Sequence, residues 1–219
     1  MEEFAEFIEA RYAEACGLQN ALHTRHDVPI LLALRNDTVS AADVVSWMQA
    51  YNLFQGRPTA ERRRVARRFL RFRQTPQPPW FKRPAKARAV FAALHLALAP
   101  HGERKWLSAA SKLLWSLYPK WIPMYDTYVH RSLVVLGHLH PVLANLPGLG
   151  AAPEPIGRET GVEAAARYAD FYSQYYRMVH ALWADNATLL VRMRAQHREA
   201  YPYDIRILDK LLWLMGRGS

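Results

Sequence analysis

The sequence predicts an all-α protein that folds as a compact bundle of several helices. Apolar residues recur with the helical spacing of i, i+3, i+4 and i+7 in almost every segment. No segment shows the sustained alternation of apolar and polar residues that is typical of a half-buried strand. Most connections between the helical segments are short, which favours a compact bundle over an elongated stack of repeats.

The composition is that of an ordinary folded domain. Of the 219 residues, 51% are hydrophobic and 22% are charged, with seven Trp and eleven Tyr among them. This length suits a single domain, 1–219, in which two helical lobes share a core. No apolar run approaches the roughly 18 residues that a membrane span requires, so no membrane contact is expected. The acidic, amphipathic start, MEEFAEFIEA, is unlike a secretory signal.

Cysteine and histidine usage provides little sign of a metal site. Cys16 is the only cysteine, so an internal disulfide is impossible and a thiolate zinc site is excluded. A reducing, cytoplasmic setting fits this usage. His138 and His140 form a weak metal signal, because no acidic residue lies beside them in the sequence. No metal ion and no cofactor are therefore expected.

The net charge of +10 is concentrated in one segment. Between Arg57 and Arg88 lie twelve basic residues and one acid, Glu61, so the rest of the chain carries about −1. A localised positive patch is what binding to a phosphate backbone requires, because each contact releases condensed counterions. The alternative is a solvated basic face, or one that meets RNA or acidic lipid. The position of the charge favours a nucleic-acid partner.

Helix ends are predicted at several points of the N-terminal half. Phe4, Ile8 and Tyr12 mark a first helix, which Gly17 is expected to end. Ser40 is expected to cap a later helix, and Thr59 is expected to cap the basic one.

The basic helix is predicted to bury one apolar stripe and to expose its arginines. Val65, Phe69 and Phe72 lie at i, i+4 and i+7 and can pack against the body of the protein. The segment 74–84 contains four prolines, which cannot continue a helix, so it is the expected lobe boundary. The candidate contacts to a DNA backbone are Arg62, Arg63, Arg64, Arg67, Arg68, Arg71, Lys82, Arg83, Lys86 and Arg88.

The C-terminal half is also predicted to be helical. Its elements are a core helix over 86–98, a helix from 108 that Pro119 and Pro123 end, a helix over 126–136 that stops at Gly137, a loop over 140–161, a long helix over 162–199 with a bend at 185–186, and a closing helix over 205–215.

Lys112 and Asp126 are the candidate chemical groups. Lys112 lies one turn into its helix, on the side of Ser108 and Trp115 and away from the leucine stripe. Asp126 opens the next helix after a proline-bracketed turn, and two helix ends joined by a tight turn can bring such side chains to one cleft. The plainer interpretations are a solvated lysine and an N-capping aspartate, and capping and catalysis can coexist.

The stretch 106–137 resembles the helix-hairpin-helix superfamily of DNA glycosylases. In that family a lysine early in one helix precedes a motif of the form Pro-x-x-Asp-Thr-x-x-x-Arg, and Pro123-Met-Tyr-Asp126-Thr-Tyr-Val-His-Arg131 matches it loosely. The helical plan and the closing stretch 206–213 resemble compact bacterial relatives of the oxoguanine-glycosylase-like branch. Some glycosylases of that compact type act in defence against phages whose DNA carries modified bases.

The chain departs from the family pattern in the hairpin. The family's Leu-Pro-Gly-x-Gly hairpin should precede the lysine, but the segment 101–106 lacks it. Leu146-Pro-Gly-Leu-Gly150 follows Asp126 and is interpreted as an ordinary turn. The spacing from Lys112 to Asp126 is also shorter than the family suggests. The absence of a cysteine cluster excludes the iron–sulfur branch.

The resemblance implies a two-lobed, helix-hairpin-helix glycosylase-like bundle. It would excise a damaged or modified base from double-stranded DNA, without a cofactor and as a monomer. Asp126 would activate the attacking group and stabilise the sugar cation as the base leaves. Lys112 would either attack the sugar carbon and form a Schiff base, or hold a phosphate while water attacks.

An enzyme of this kind must take its target base out of the duplex. The candidate residues for the base pocket are Tyr51, Asn52, Gln55, Trp80, Trp115 and Tyr125. Two other functions stay open, namely a non-catalytic basic DNA-binding module and a protein-interaction component of a defence system.

Overall fold

The computed structural model describes residues 2–54, 56–75, 84–100, 106–156, 159–197 and 201–218. Within these ranges the chain forms helices and turns and no strand, which confirms the all-α prediction. The helices are α1 (Glu2–Leu22), α2 (Val28–Arg35), α3 (Ala41–Ala50), α4 (Thr59–Gln74), α5 (Pro84–Leu98), α6 (Leu107–Leu117), α7 (Thr127–Leu139), α8 (Gly161–Asp185), α9 (Ala187–Gln196) and α10 (Asp204–Arg217). No helix of the described ranges is both long enough and apolar enough to cross a membrane.

The N-terminal helix does not stop at Gly17. It continues to Leu22, and a π-helical turn, His23–Asp27, then joins α1 directly to α2. Tyr12 and Gln19 on either side of the glycine are fully buried, so packing of this face outweighs the helix-ending tendency of glycine.

Of four other predicted helix boundaries, two are confirmed and two are wrong. The Oγ atom of Ser40 accepts the backbone N–H of Asp43 at 3.2 Å and caps α3, as predicted. The predicted bend at 185–186 is confirmed as a break between α8 and α9. Pro58, not Thr59, occupies the N-cap of α4. Helix α7 passes through Gly137, because a glycine in right-handed helical geometry does not by itself end a helix.

The core forms where α8 packs along α5 and α10 packs along α7 and α1. Helix α8 contributes buried aromatic side chains, and its Tyr172 ring stacks on Phe91 of α5 with 4.2 Å between centroids. The predicted lobe boundary at 74–84 lies largely outside the described residues. Helices α4 and α5 on either side of it pack against each other.

Helices α7 and α10 approach each other very closely. A Cβ atom added at Gly216 would lie 2.1 Å from the backbone oxygen of Tyr128. The Ser132 hydroxyl donates to the backbone oxygen of Leu212 at 2.6 Å. Because Tyr128 meets Gly216 and Ser132 meets Leu212, the two helices run antiparallel at this contact. The glycine therefore sets how closely α10 lies against the start of α7.

Replacing Gly216 tests this contact. We expect Gly216→Ala to lower the free energy of unfolding by about 1–3 kcal/mol, because the new methyl group meets backbone that cannot rotate away. Gly17→Ala is the matched control in a helix, since a Cβ there meets nothing within 4 Å. That change should stabilise the fold by roughly 0.5–1 kcal/mol. Urea unfolding followed by circular dichroism measures both, and equal effects of the two substitutions would contradict the close approach.

Candidate active site

A small cavity lies among α6, α7 and α10, and it combines apolar, aromatic and charged side chains. Its volume is about 120 Å³, of the same order as the roughly 150 Å³ cavity that holds a benzene ring. The cavity therefore has room for about one six-membered ring. Its lining consists of Leu22, Tyr51, Lys112, Met124, Asp126, Val129, Arg206, Asp209, Lys210 and Trp213.

The approach segment, Pro123–Asp126, is held from one side by α8 and α10. The backbone oxygens of Pro123 and Met124 accept the hydroxyls of Tyr172 and Tyr175, each at 2.8 Å. The backbone N–H of Met124 donates to Asp209 Oδ2, also at 2.8 Å. Buried backbone groups must find partners, and here side chains of two helices supply them.

Helix α6 holds the other side of the approach segment. The backbone N–H of Tyr125 donates to Ser111 Oγ at 2.9 Å. The backbone oxygen of Tyr125 accepts from Lys112 Nζ at 3.0 Å and from Ser108 Oγ at 3.3 Å. The residues that precede Asp126 are thus fixed by three helices, so the carboxylate enters the cavity wall from a rigid support.

Asp126 is half-buried and occupies the N-cap of α7, as predicted. Its Oδ1 atom accepts the backbone N–H of Tyr128 at 3.0 Å. Its backbone is extended, with φ −142° and ψ 148°. The Oδ2 atom makes no hydrogen bond to the described part of the chain, so one carboxylate oxygen is left for a ligand in the cavity.

Lys112 is buried rather than solvated, with 5% of its surface exposed. Its Nζ atom donates to Ser108 Oγ at 2.7 Å and to the backbone oxygen of Tyr125 at 3.0 Å. Burial lowers the pKa of Lys112 to about 8, although the Asp126 carboxylate opposes this shift. The simple interpretation of a solvated lysine is wrong, because the helix face that carries Lys112 is covered. A neutral amine, the form that acts as a nucleophile, is accessible near neutral pH.

Helix α10 adds three further charged groups to the cavity. Burial raises the pKa of Asp209 to about 7, against the opposing effect of Arg206. Burial also lowers the pKa of Lys210 to about 8, and Arg206 lowers it further. The Arg206 and Asp209 side chains approach to 3.7 Å. Perturbed pKa values that cluster in a cavity are typical of functional sites.

The sequence patterns did not identify the residues of α10 that line the cavity. Arg206, Asp209, Lys210 and Trp213 lie at i, i+3, i+4 and i+7, so they share one face of a helix whose other faces are apolar. Polar side chains at this spacing on an otherwise apolar helix are the sequence signal that could have identified this part of the site.

Tyr51 is held against the cavity by a buried carboxylate on the π-helical turn. Its hydroxyl donates to Asp27 Oδ1 at 2.8 Å, and Trp47 Nε1 donates to the same oxygen at 2.9 Å. Asp27 is fully buried, and Gln19 and Tyr201 donate to its other oxygen at 3.3 Å each. Asp27 is the buried residue of this π-helical turn. Short π-helical segments occur frequently at functional sites.

The other base-pocket candidates are not gathered at the cavity. Asn52 is exposed and has a positive φ of 56°. Trp115 is fully buried beside Trp47, and Tyr125 packs against Phe171. None of these three lines the cavity, whereas Tyr51 does. The remaining candidates, Gln55 and Trp80, lie outside the described residues.

The basic helix α4 presents part of its predicted arginine set to solvent. Four of these arginines are exposed and lack ion-pair partners within the described ranges: Arg63, Arg64, Arg67 and Arg71. Arg62 and Arg68 instead donate to the backbone oxygens of Arg57 and Leu98, at 2.8 and 2.7 Å.

The predicted basic residues beyond α4 are less accessible to a phosphate. Arg88 is paired with Asp170, and Lys86 is half-buried. Lys82 and Arg83 lie outside the described residues.

No group of three potential metal ligands is present within the described ranges. His140, one of the two histidines of the weak metal signal, is buried with its Nε2 atom 3.8 Å from Asp185 Oδ2.

Comparison with known proteins yields no relative of this chain. No protein-family model, no curated protein and no solved structure matches it. The resemblance to the helix-hairpin-helix glycosylases therefore depends on the motif residues, the helical plan and the closing stretch 206–213 alone.

The raised pKa of Asp209 predicts a pH dependence of stability. The folded protein holds this proton up to about pH 7, whereas the unfolded chain releases it near 3.8. Its contribution to stability is therefore complete below about pH 3.8 and is lost as the pH rises through about 7. Asp209→Asn cannot ionise but still offers an oxygen to Met124, so it should become more stable relative to wild type as the pH rises over this range.

Urea unfolding of both proteins from about pH 4 to about pH 7 measures the difference. Glu6→Gln, at an exposed carboxylate, serves as the control. A difference between Asp209→Asn and wild type that does not change with pH would contradict a raised pKa of Asp209.

Proposed function

We propose that the protein is a DNA glycosylase that cleaves the N-glycosidic bond of a damaged or modified nucleotide. The observation that carries this proposal is the meeting of Lys112 and Asp126 at one cavity of about 120 Å³. Lys112 lies in α6 and Asp126 caps α7, and both are the candidate chemical groups of the family pattern. The size of the cavity suits one extruded ring rather than a duplex.

Asp126 would act on the sugar as the base departs. Cleavage of an N-glycosidic bond develops positive charge on the sugar ring, and a nearby carboxylate stabilises that charge. One oxygen of Asp126 is engaged by the N-terminus of α7, and Oδ2 is left to face the reacting sugar. The same carboxylate can accept the proton that an attacking amine or water loses.

Lys112 would be the nucleophile rather than a phosphate contact. A phosphate of the DNA backbone cannot easily reach an amine that is 5% exposed, whereas a ring that enters the cavity lined by Lys112 can. In this step the Nζ lone pair bonds to the sugar C1′ as the C1′–N bond breaks, and the base leaves with the bonding electrons and takes up a proton. The attached amine loses a proton to Asp126, and the C1′–O4′ bond then opens to give the Schiff base, with O4′ taking up a proton. The lowered pKa of Lys112 provides the neutral amine that this step requires.

The arginines of α4 would bind the DNA backbone. Arg63, Arg64, Arg67 and Arg71 lie on exposed faces of one helix without ion-pair partners in the described ranges. Such charges can neutralise phosphates at little cost, because no internal salt bridge has to break first.

Substitution of Asp126 tests the enzyme assignment. We expect Asp126→Asn to lower the rate of abasic-site formation at least about 100-fold, because the amide cannot stabilise the sugar cation or accept a proton. DNA binding should be unchanged, since the amide oxygen can still cap α7. Asp43→Asn, at an exposed carboxylate, is the control. The substrates are duplexes that carry different damaged bases, together with phage DNA of heavily modified composition.

Release of no base from any of these DNAs by the wild-type protein would favour a non-catalytic DNA-binding module instead. Equal rates for wild type and Asp126→Asn would remove Asp126 from the mechanism.

Borohydride trapping tests Lys112 separately. A Schiff base between Lys112 and the sugar should be reduced to a stable protein–DNA adduct, which migrates slowly on a denaturing gel. Lys112→Met should abolish the adduct, and Lys120→Met, at an exposed lysine, should leave it intact. Base release without any adduct in the wild-type protein would show that water is the nucleophile.

A further inference from the structure

A cluster of aromatic and cationic side chains lies at the rim of the cavity, on the surface that α7 and α10 share. Tyr128 and Trp213 meet edge to face, with 5.7 Å between ring centroids and an interplanar angle of 83°. Tyr128 is 37% exposed, and Trp213 is half-buried. Part of each of two large aromatic rings thus remains accessible, side by side.

Three cations surround this aromatic pair. Lys210 Nζ lies 4.2 Å from the centroid of Trp213, and the guanidinium of Arg217 lies 5.1 Å from the same ring. The guanidinium of Arg131 lies 5.4 Å from the ring of Tyr128. None of the three is joined to a carboxylate by a salt bridge within the described ranges. We call Tyr128, Arg131, Lys210, Trp213 and Arg217 the rim cluster.

The rim cluster is continuous with the cavity. Lys210 and Trp213 line both, and the backbone N–H of Tyr128 binds Asp126. The carboxylates whose charge acts on Lys210 are Asp126 and Asp209, and both belong to the cavity itself. Outside the mouth of the cavity, the rim cluster forms a positively charged surface that also presents parts of two aromatic rings.

The chemistry of the rim cluster fits unpaired nucleotides. Exposed aromatic rings bind a strand by stacking on its bases, and neighbouring cations bind its phosphates. In a paired duplex the faces of the bases are already stacked on each other, so exposed aromatic rings have little to bind there. A surface that served duplex DNA alone would need cations but no accessible aromatic pair, which is the arrangement seen on α4.

We propose that the rim cluster binds unpaired DNA nucleotides that flank the target nucleotide. The position of this strand at the cavity mouth rests on the proposed base-excising function. Tyr128 and Trp213 stack on bases, while Arg131, Lys210 and Arg217 hold phosphates. The arginines of α4 then serve the neighbouring duplex. The preferred substrate is DNA whose strands are locally open at the target.

Fluorescence anisotropy with a labelled oligothymidylate and a labelled unmodified duplex tests this proposal without any excision. We expect Trp213→Ala to weaken binding of the single strand about 5-fold to 100-fold, as the loss of one stacked base implies. Binding of the duplex should change less than about 2-fold. Trp213→Phe keeps an aromatic face and should restore most of the single-strand affinity. Thermal unfolding by circular dichroism checks that each variant is folded.

The cations are tested by the salt dependence of the same binding. The double variant Arg131→Ala, Arg217→Ala removes two phosphate contacts, so the slope of log K against log salt for the single strand should fall by about 1.4. Arg64→Ala, Arg71→Ala on α4 is the matched control. That variant should weaken duplex binding and leave single-strand binding close to wild type.

Three results would overturn the proposal: folded Trp213→Ala with wild-type affinity for the single strand, failure of Trp213→Phe to restore affinity, or equal losses from the rim and α4 variants. Each concerns unmodified DNA. Intact rim-dependent binding without base release would therefore contradict the proposed catalysis while leaving the strand-binding surface in place.

Discussion

The site depends on the burial of one short stretch of non-helical backbone, the approach segment Pro123–Asp126. Such a segment inside a helical protein cannot satisfy its own polar groups, so side chains must do so. Tyr172, Tyr175 and Asp209 bind it from α8 and α10, and α6 binds it through Ser111 and Lys112. These bonds unite three helices and set the position of Asp126. They also explain why a lysine lies inside the protein, since its amine completes the set of donors to the segment.

The burial of this network is also what perturbs its charges. The charges of Asp126, Arg206 and Asp209 act on the pKa values of Lys112 and Lys210, and desolvation is the largest influence on Lys112, Asp209 and Lys210. Buried charges reduce stability unless they are paired and hydrogen-bonded, and several here are paired only at long range. Such an arrangement is easier to explain by chemistry at the cavity than by stability of the fold. Asp27 differs from these groups, because its buried carboxylate oxygens accept four hydrogen bonds.

Local sequence signals predicted the helical class, the cap at Ser40 and the position of Asp126 at the start of α7. These depend on periodicity and on hydrogen bonds between near neighbours, which a sequence displays directly. The burial of Lys112 and the role of α10 could not be predicted in the same way. They depend on contacts such as that between Met124 and Asp209, 85 positions apart. The predicted helix ends at Gly17 and Gly137 were wrong, because packing decides whether a helix continues through a glycine and the local sequence does not show that packing.

Folding buries Lys112 at the cavity that Asp126 also lines, and the proposed chemistry requires its amine to be a usable nucleophile there. The most direct test is a pH titration of the Lys112 side chain by ¹³C NMR, with the resonance assigned by its absence in Lys112→Met. We expect a pKa of about 8 for Lys112. In Asp126→Asn the pKa should be lower still, because the carboxylate that favours the charged amine is gone. Titration near the ordinary lysine value of about 10.5, unchanged in Asp126→Asn, would contradict the burial of a reactive amine beside Asp126.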